Sequence, residues 1–156
     1  MKLDRYDLKI LDTLQDQASI SNLELAERIG LSPTPCARRV RALEDAGIIK
    51  QRVTLLDSEA LGLGLTAVVQ VAMDKHIPAR FSVFEKAVNS WPEVLECYLI
   101  TGQAADYMLK VAVRDMKDYE RFLLGKLTQI AGVTGVQSSF VLRKVVHTTR
   151  LPLPLG

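Results

Sequence analysis

The chain has few of the residues from which reactive sites are built. Only two cysteines occur in 156 residues, Cys36 and Cys97, 61 positions apart and with no Cys-x-x-Cys or His-spaced partner. Neither a disulfide framework nor a zinc site is signalled, and both thiols read as small buried hydrophobes. Histidine is equally scarce: His76 lies in a loop beside Pro78 and His147 near the tail, each read as a surface residue with no carboxylate or nucleophile in sight to pair with. The chain also lacks a glycine-rich phosphate loop, a His-Glu-x-x-His pair and a nucleophile elbow, which speaks against an enzyme and against a cofactor. No run approaches the roughly 20 apolar residues that span a bilayer, and the opening Met1-Lys2-Leu3-Asp4-Arg5 has no signal-peptide core, so a cytoplasmic protein without a membrane partner is expected.

Strong net charge is missing too. The formal balance is +2, and the first 60 residues, with 9 basic and 10 acidic side chains, come to −1. Within that stretch, however, the charges separate. Arg28, Arg38, Arg39 and Arg41 are the only charged residues between positions 28 and 43, while Asp4, Asp7, Asp12 and Asp16 crowd the start. Such a local basic stretch suits either a small DNA-reading surface or a solvated helix face. The length allows one domain or two small ones. A 48% hydrophobic content with mean hydropathy +0.11 excludes disorder and leaves apolar surface for another subunit to cover.

Three helices are expected first. Asp4 with Asp7 three residues on, then Leu8, Ile10, Leu11 and Leu14, predicts a helix over 4–16. Ser21-Asn22-Leu23-Glu24 is a capping box and Gly30 follows Ile29 as a terminator, giving 22–29. Ser32-Pro33-Thr34-Pro35 starts a third helix, 33–46, because prolines at N1 and N3 replace amides that have no intrahelical partner; Ser32 is placed to cap it. Cys36, Val40 and Leu43 form its apolar stripe, with Thr34, Arg38 and Arg41 outward and Arg39 near the edge. Two helices joined by the tight Gly30-Leu31-Ser32 connection match a helix-turn-helix whose second helix enters the major groove. Ile48 to Leu56 reads as a strand beside the helices, a wing, with Lys50 and Arg52 able to meet phosphate.

Residues 57–64, with Gly62 and Gly64, form the expected linker between a first domain at 1–56 and a second at 65–156 that includes the tail. Strand-like runs at 65–74, 94–101, 106–113 and 135–146 enclose helical patterns carrying Phe81, Phe84 and Val88, then Tyr119, Phe122, Leu123 and Leu127. The order βαββαβ is the ferredoxin-like unit, an antiparallel four-stranded sheet with both helices on one face. The class is therefore α+β. Nothing remains in the chain to cover the other sheet face, so a second copy packing sheet on sheet is expected.

Gly30-Leu31-Ser32-Pro33-Thr34-Pro35-Cys36-Ala37-Arg38-Arg39-Val40-Arg41-Ala42-Leu43-Glu44 followed by Gly47-Ile48-Ile49 closely resembles the recognition-helix signature of the Lrp/AsnC (feast/famine) transcription regulators. Trp91-Pro92-Glu93-Val94, Thr101-Gly102 with Asp106-Tyr107, Asp115-Met116 and Ser138-Ser139-Phe140 resemble the same family in the same order. The resemblance implies a winged helix-turn-helix joined to a RAM-type effector domain, double-stranded DNA and a small amino acid as partners, and dimers assembling to octamers.

Carried over by position, Ser32, Thr34, Arg38, Arg39 and Arg41 face DNA, with Arg38 suited to base reading and Arg39 and Arg41 to phosphate contact or an ion pair with Glu24 or Glu27. The effector site would lie at the turn joining the second and third strands, where amides after Gly102 receive a carboxylate and Asp106 an ammonium. Thr101, Gln103 and Tyr107 accompany them, and Met116 and Ser138 are secondary candidates. The family spaces its Asp three residues after this glycine, and here the spacing is four. Two other readings stay open: an architectural DNA-binding protein with a silent effector site, and a sensor acting through a protein partner.

Overall fold

The structure, a computed structural model, describes residues 2–102 and 105–154. They form two compact units, one of the chain up to Leu55 together with the chain from Val146 onward, the other of Leu56–Val145. The tail, expected with the second domain, packs with the first unit.

The first unit holds α1 (Arg5–Asp16), α2 (Asn22–Ile29) and α3 (Pro33–Asp45). Asp4 caps α1 by accepting from the amides of Tyr6 and Asp7 at 2.8 and 3.0 Å, and the Asp7 carboxylate returns a bond to the Asp4 amide at 3.0 Å. Ser21 and Glu24 repeat this reciprocal box on α2. Gly30 ends α2 at φ +76°, a left-handed conformation that glycine adopts without strain, and lets the Leu31 amide bond the Ala26 carbonyl at 2.9 Å. Ser32 stands at the N-cap of α3 with extended backbone, yet its side chain makes no cap bond. The usual N3 amide is missing because N3 is Pro35. Asn22 takes over the anchoring, donating its Nδ2–H to the Pro33 carbonyl at 2.9 Å. Ile10, Leu25, Ala26, Ile29, Cys36 and Leu43 close the core, as the apolar spacing required.

The expected wing is not paired among the described residues. The Ile48 and Ile49 amides fold back on the Leu43 carbonyl at 3.0 and 3.1 Å, and Ile49 packs on the core. Residues 50–57 then have no strand partner among the described residues. A ladder needs a second extended neighbour, and α1, α2 and α3 supply none.

The second unit runs β1 (Leu65–Met73), α4 (Pro78–Asn89), β2 (Val94–Leu99), β3 (Tyr107–Val113), α5 (Met116–Gly125), a 3-10 turn at Leu127–Gln129 and β4 (Val133–Phe140). The sheet order is β2-β3-β1-β4, antiparallel throughout, the ferredoxin-like arrangement expected. Alternate residues Ala67, Val69 and Val71 of β1 and Tyr107, Leu109 and Val111 of β3 meet Phe84 and Val88 of α4 and Tyr119 and Phe122 of α5. Fully burying side chains of this size contributes about 1.5–3 kcal/mol each. Strand β4 stops at Phe140, short of the expected 146. Its last rung, the Val141 amide on the Thr66 carbonyl at 2.9 Å, meets the start of β1, and beyond it no strand among the described residues is left to pair with. Cys36 is buried as expected, whereas Cys97 is exposed because β2 is an edge strand.

Candidate functional site

The three arginines of α3 have different fates. Arg39 turns inward: its Nη1 donates to Asp7 Oδ1 at 2.7 Å and meets Asp4 Oδ2 at 2.8 Å, with the guanidinium 5.5 Å from the Tyr6 ring centroid. Asp7 is the one charged residue buried among the described residues. Arg39 is thus a structural cation pairing with α1 rather than with Glu24 or Glu27, the partners expected for it. The Asp7 backbone bond and the Arg39 guanidinium together hold the Asp4 carboxyl below its usual range. Arg38 and Arg41 are exposed and have no ion-pair partner among the described residues. Ser32 and Thr34 lie exposed beside them at the helix start. Lys50 is exposed, and Arg52 meets Glu44 Oε1 at 3.0 Å in a half-exposed pair.

At the other candidate site, the turn between β2 and β3 brings Thr101, Gly102, Asp106 and Tyr107 to one end of the sheet, Thr101 and Gly102 being exposed. Gly102 has no left-handed backbone, and Gln103, one of the three residues between Gly102 and Asp106, lies outside the described residues. The Asp106 amide donates to the Val71 carbonyl at 2.9 Å, and Asp106 Oδ2 accepts the Met73 amide at 2.7 Å. Its Oδ1 lies 2.7 Å from His76 Nε2. Tyr107 is buried, and its phenol donates to Glu85 Oε1 at 2.7 Å. Burial first, then the Glu85 carboxylate, pushes that phenol's pKa well above the ordinary tyrosine range.

Met116 and Ser138 are not brought to this turn within one chain. Met116 opens α5 at the opposite end of β3, roughly 20 Å away for a seven-residue strand. Ser138 sits opposite Val69 in mid-strand, its hydroxyl bonded to that of Tyr119.

A family model described as winged helix-turn-helix DNA-binding matches residues 3–50, and one described as the Lrp/AsnC ligand binding domain matches residues 66–151. The chain belongs to the Lrp/AsnC family. Among Lrp/AsnC relatives, it is 43% identical to the glutamate uptake regulatory protein of Zymomonas mobilis over 98% of this chain and 92% of that one. It is 39% identical to the DNA-binding transcriptional activator DecR of Escherichia coli over 97% and 99%. A transcriptional regulator of Neisseria meningitidis, solved as a complex with L-methionine, superposes with TM-score 0.93 at 44% identity over 98% of both chains. The protein is accordingly a transcriptional regulator of the Lrp/AsnC family, with a DNA-binding helix-turn-helix and a ligand-binding domain, and its relatives are regulators and not enzymes. Among the described residues no helix is long and apolar enough to cross a membrane.

Two pairings of consequence are not visible in the Lrp/AsnC sequence. His76, expected as an unpaired surface residue, is set by the fold on Asp106, 30 positions away. Asp7 read only as a helix-start acid. No local pattern reports either pairing, since each crosses between elements.

Proposed function

We propose that the protein is a sequence-specific DNA-binding regulator whose DNA binding and assembly respond to an amino acid. The observation that carries this is the division of labour on α3. Arg39 is withdrawn into the Asp4–Asp7 pair, leaving Arg38 and Arg41 exposed beside Ser32 and Thr34 on the outward face of a second helix-turn-helix helix. In this reading Arg38 reads a base edge, while Arg41, Ser32, Thr34 and Lys50 meet phosphates. Arg52 exchanges Glu44 for phosphate at little cost, because exposed ion pairs are worth about 0–1 kcal/mol.

The amino acid binds at the β2–β3 turn, its ammonium on Asp106 and its carboxylate on the amides near Thr101 and Gly102. The L-methionine complex of the Neisseria meningitidis relative puts that amino acid first among candidates. Copies of the chain associate through the sheet face opposite the helices, where Val68 and Met108 are only half-buried, and through the exposed Leu95 and Leu99 of the edge strand β2. Effector binding shifts that association and with it the spacing of paired recognition helices. Coupling of this kind is typically worth about 1–3 kcal/mol, or about 5–150-fold in affinity.

The test selects binding sites from a random duplex pool and then measures affinity and sedimentation mass with and without each of the twenty amino acids. Enriched sites, with affinity or mass shifted by one amino acid, are expected. Uniform affinity for all sequences with a steep salt dependence and no amino-acid effect would instead mark an architectural DNA binder.

A further inference from the structure

The two oxygens of Asp106 are held differently. Oδ2 accepts the Met73 backbone amide at 2.7 Å and is fixed to β1, whereas Oδ1 is met by His76 Nε2 at 2.7 Å. The Asp106 side chain is 19% exposed and His76 70% exposed, on the loop between β1 and α4. Asp74, in the same loop, is occupied by Arg80 at 3.1 Å and does not compete for the imidazole. One member of the pair is therefore anchored, and the other stands in solvent with a single polar partner among the described residues. Beside the imidazole lies the ring of Phe81, 6.2 Å between centroids, itself edge-on to Tyr107.

An α-amino acid carries a cation and an anion on one carbon, and this pair presents an anion and an N–H donor within one hydrogen-bond length. We propose, resting on the reading of Asp106 as the ammonium acceptor, that His76 is the second half of the effector site. The pair opens: the ammonium takes the place of the His76 N–H on Asp106 Oδ1, and the freed His76 Nε2–H donates to the effector carboxylate. Opening costs little because the imidazole stands in solvent and the Met73 amide still holds Asp106, while each new bond is charge-assisted. The Asp106–His76 contact thus keeps the anion satisfied until the effector arrives, and His76 makes the site prefer amino acids to simple amines. Phe81 offers an apolar wall to the effector side chain.

The experiment is calorimetric titration of the full chain with the twenty L-amino acids, L-methionine first, and with the carboxamide of each that binds, which keeps the ammonium and loses the carboxylate. Wild type is expected to prefer acid over carboxamide by at least about tenfold. His76→Ala, at an exposed position, is expected to leave the melting temperature in place and to lower that preference by about threefold or more, the amides near Thr101 and Gly102 holding the remainder. His76→Gln, which restores an N–H donor, is expected to recover part of it. Asp106→Asn is expected to lose acid and carboxamide alike. A His76→Ala variant with undiminished preference overturns the assignment of His76 while leaving Asp106 standing. Absence of binding by any amino acid to wild type and to His76→Ala overturns the effector reading itself, and this inference with it.

Discussion

Arg39 and Arg38 are neighbours in sequence with opposite surroundings. Truncating Arg39 to Ala leaves Asp7 buried beside Asp4 without its cation, and losing one partner of such a pair is the costly kind of change. The expected loss is about 1–3 kcal/mol from the first unit, seen as a lower melting temperature of that unit, with DNA binding falling only as far as the unit unfolds. Arg38→Ala and Arg41→Ala should behave the other way round, leaving the melting temperature unchanged. Arg41→Ala should weaken binding to all sequences and reduce the slope of log affinity against log salt by about 1. Arg38→Ala should instead relax preference at one base position, worth about 1–3 kcal/mol. An Arg39→Ala protein that melts like wild type would show that the α1–α3 pair contributes nothing in solution. From the sequence the arginines were a single basic run, and only the packing of the first turn of α1 against α3 separates them.

At the level of elements, the two serines that begin α2 and α3 look alike in sequence and differ in chemistry. Ser21 accepts the Glu24 amide and is bonded in return, so Ser21→Ala should cost about 1 kcal/mol of stability. Ser32 makes no cap bond in front of Pro33 and Pro35, so Ser32→Ala should cost less than about 0.5 kcal/mol and show its effect in DNA affinity. Equal losses from both would mean that the α3 start is capped after all.

The boxes also titrate. The Asp4 carboxyl is held low by the Asp7 amide and Arg39, and that of Glu24 by the Ser21 hydroxyl and amide. Because both folded values lie below the unfolded ones, the unfolded chain takes up protons first. Their contribution is present in full above about pH 5 and is lost as pH falls through the lowered values. Asp4→Asn with Glu24→Gln should flatten the acid limb of the first unit's stability below about pH 5, read by thermal melts across pH. Element types and order were legible because apolar period, capping boxes and glycine stops all agree. The wing and the end of β4 were not, since whether an extended run becomes a strand depends on a neighbour that periodicity cannot name.

On the scale of the whole molecule, the chain leaves the first unit after Leu55, builds the second and comes back at Val146, so the DNA-binding unit is joined to the ligand-binding unit by two covalent connections. The returning tail is seated on α1. Arg150 bridges Asp12 at 2.6 Å and Asp16 at 2.9 Å, one helical turn apart, and the Gln15 side chain accepts the Leu151 amide at 2.6 Å and donates to its carbonyl at 3.2 Å. Leu151 and Leu153 line a cleft with Leu11, Leu14 and Ile49. A unit of about 55 residues is marginal by itself, since so short a chain buries a smaller share of its surface than a longer one does. The tail ties that unit down at α1 through these bonds. Ending the chain after Val146 should lower the melting temperature of the first unit and speed hydrogen exchange of α1 amides around Gln15, with the exchange of β1 and β3 unchanged. Arg150→Ala alone should cost less than about 1 kcal/mol, because its pairs are half-exposed, and that loss should shrink further in high salt. Unchanged α1 exchange in the shortened chain would mean that the seat is empty in solution and that the linker after Leu55 alone joins the DNA-binding unit to the rest.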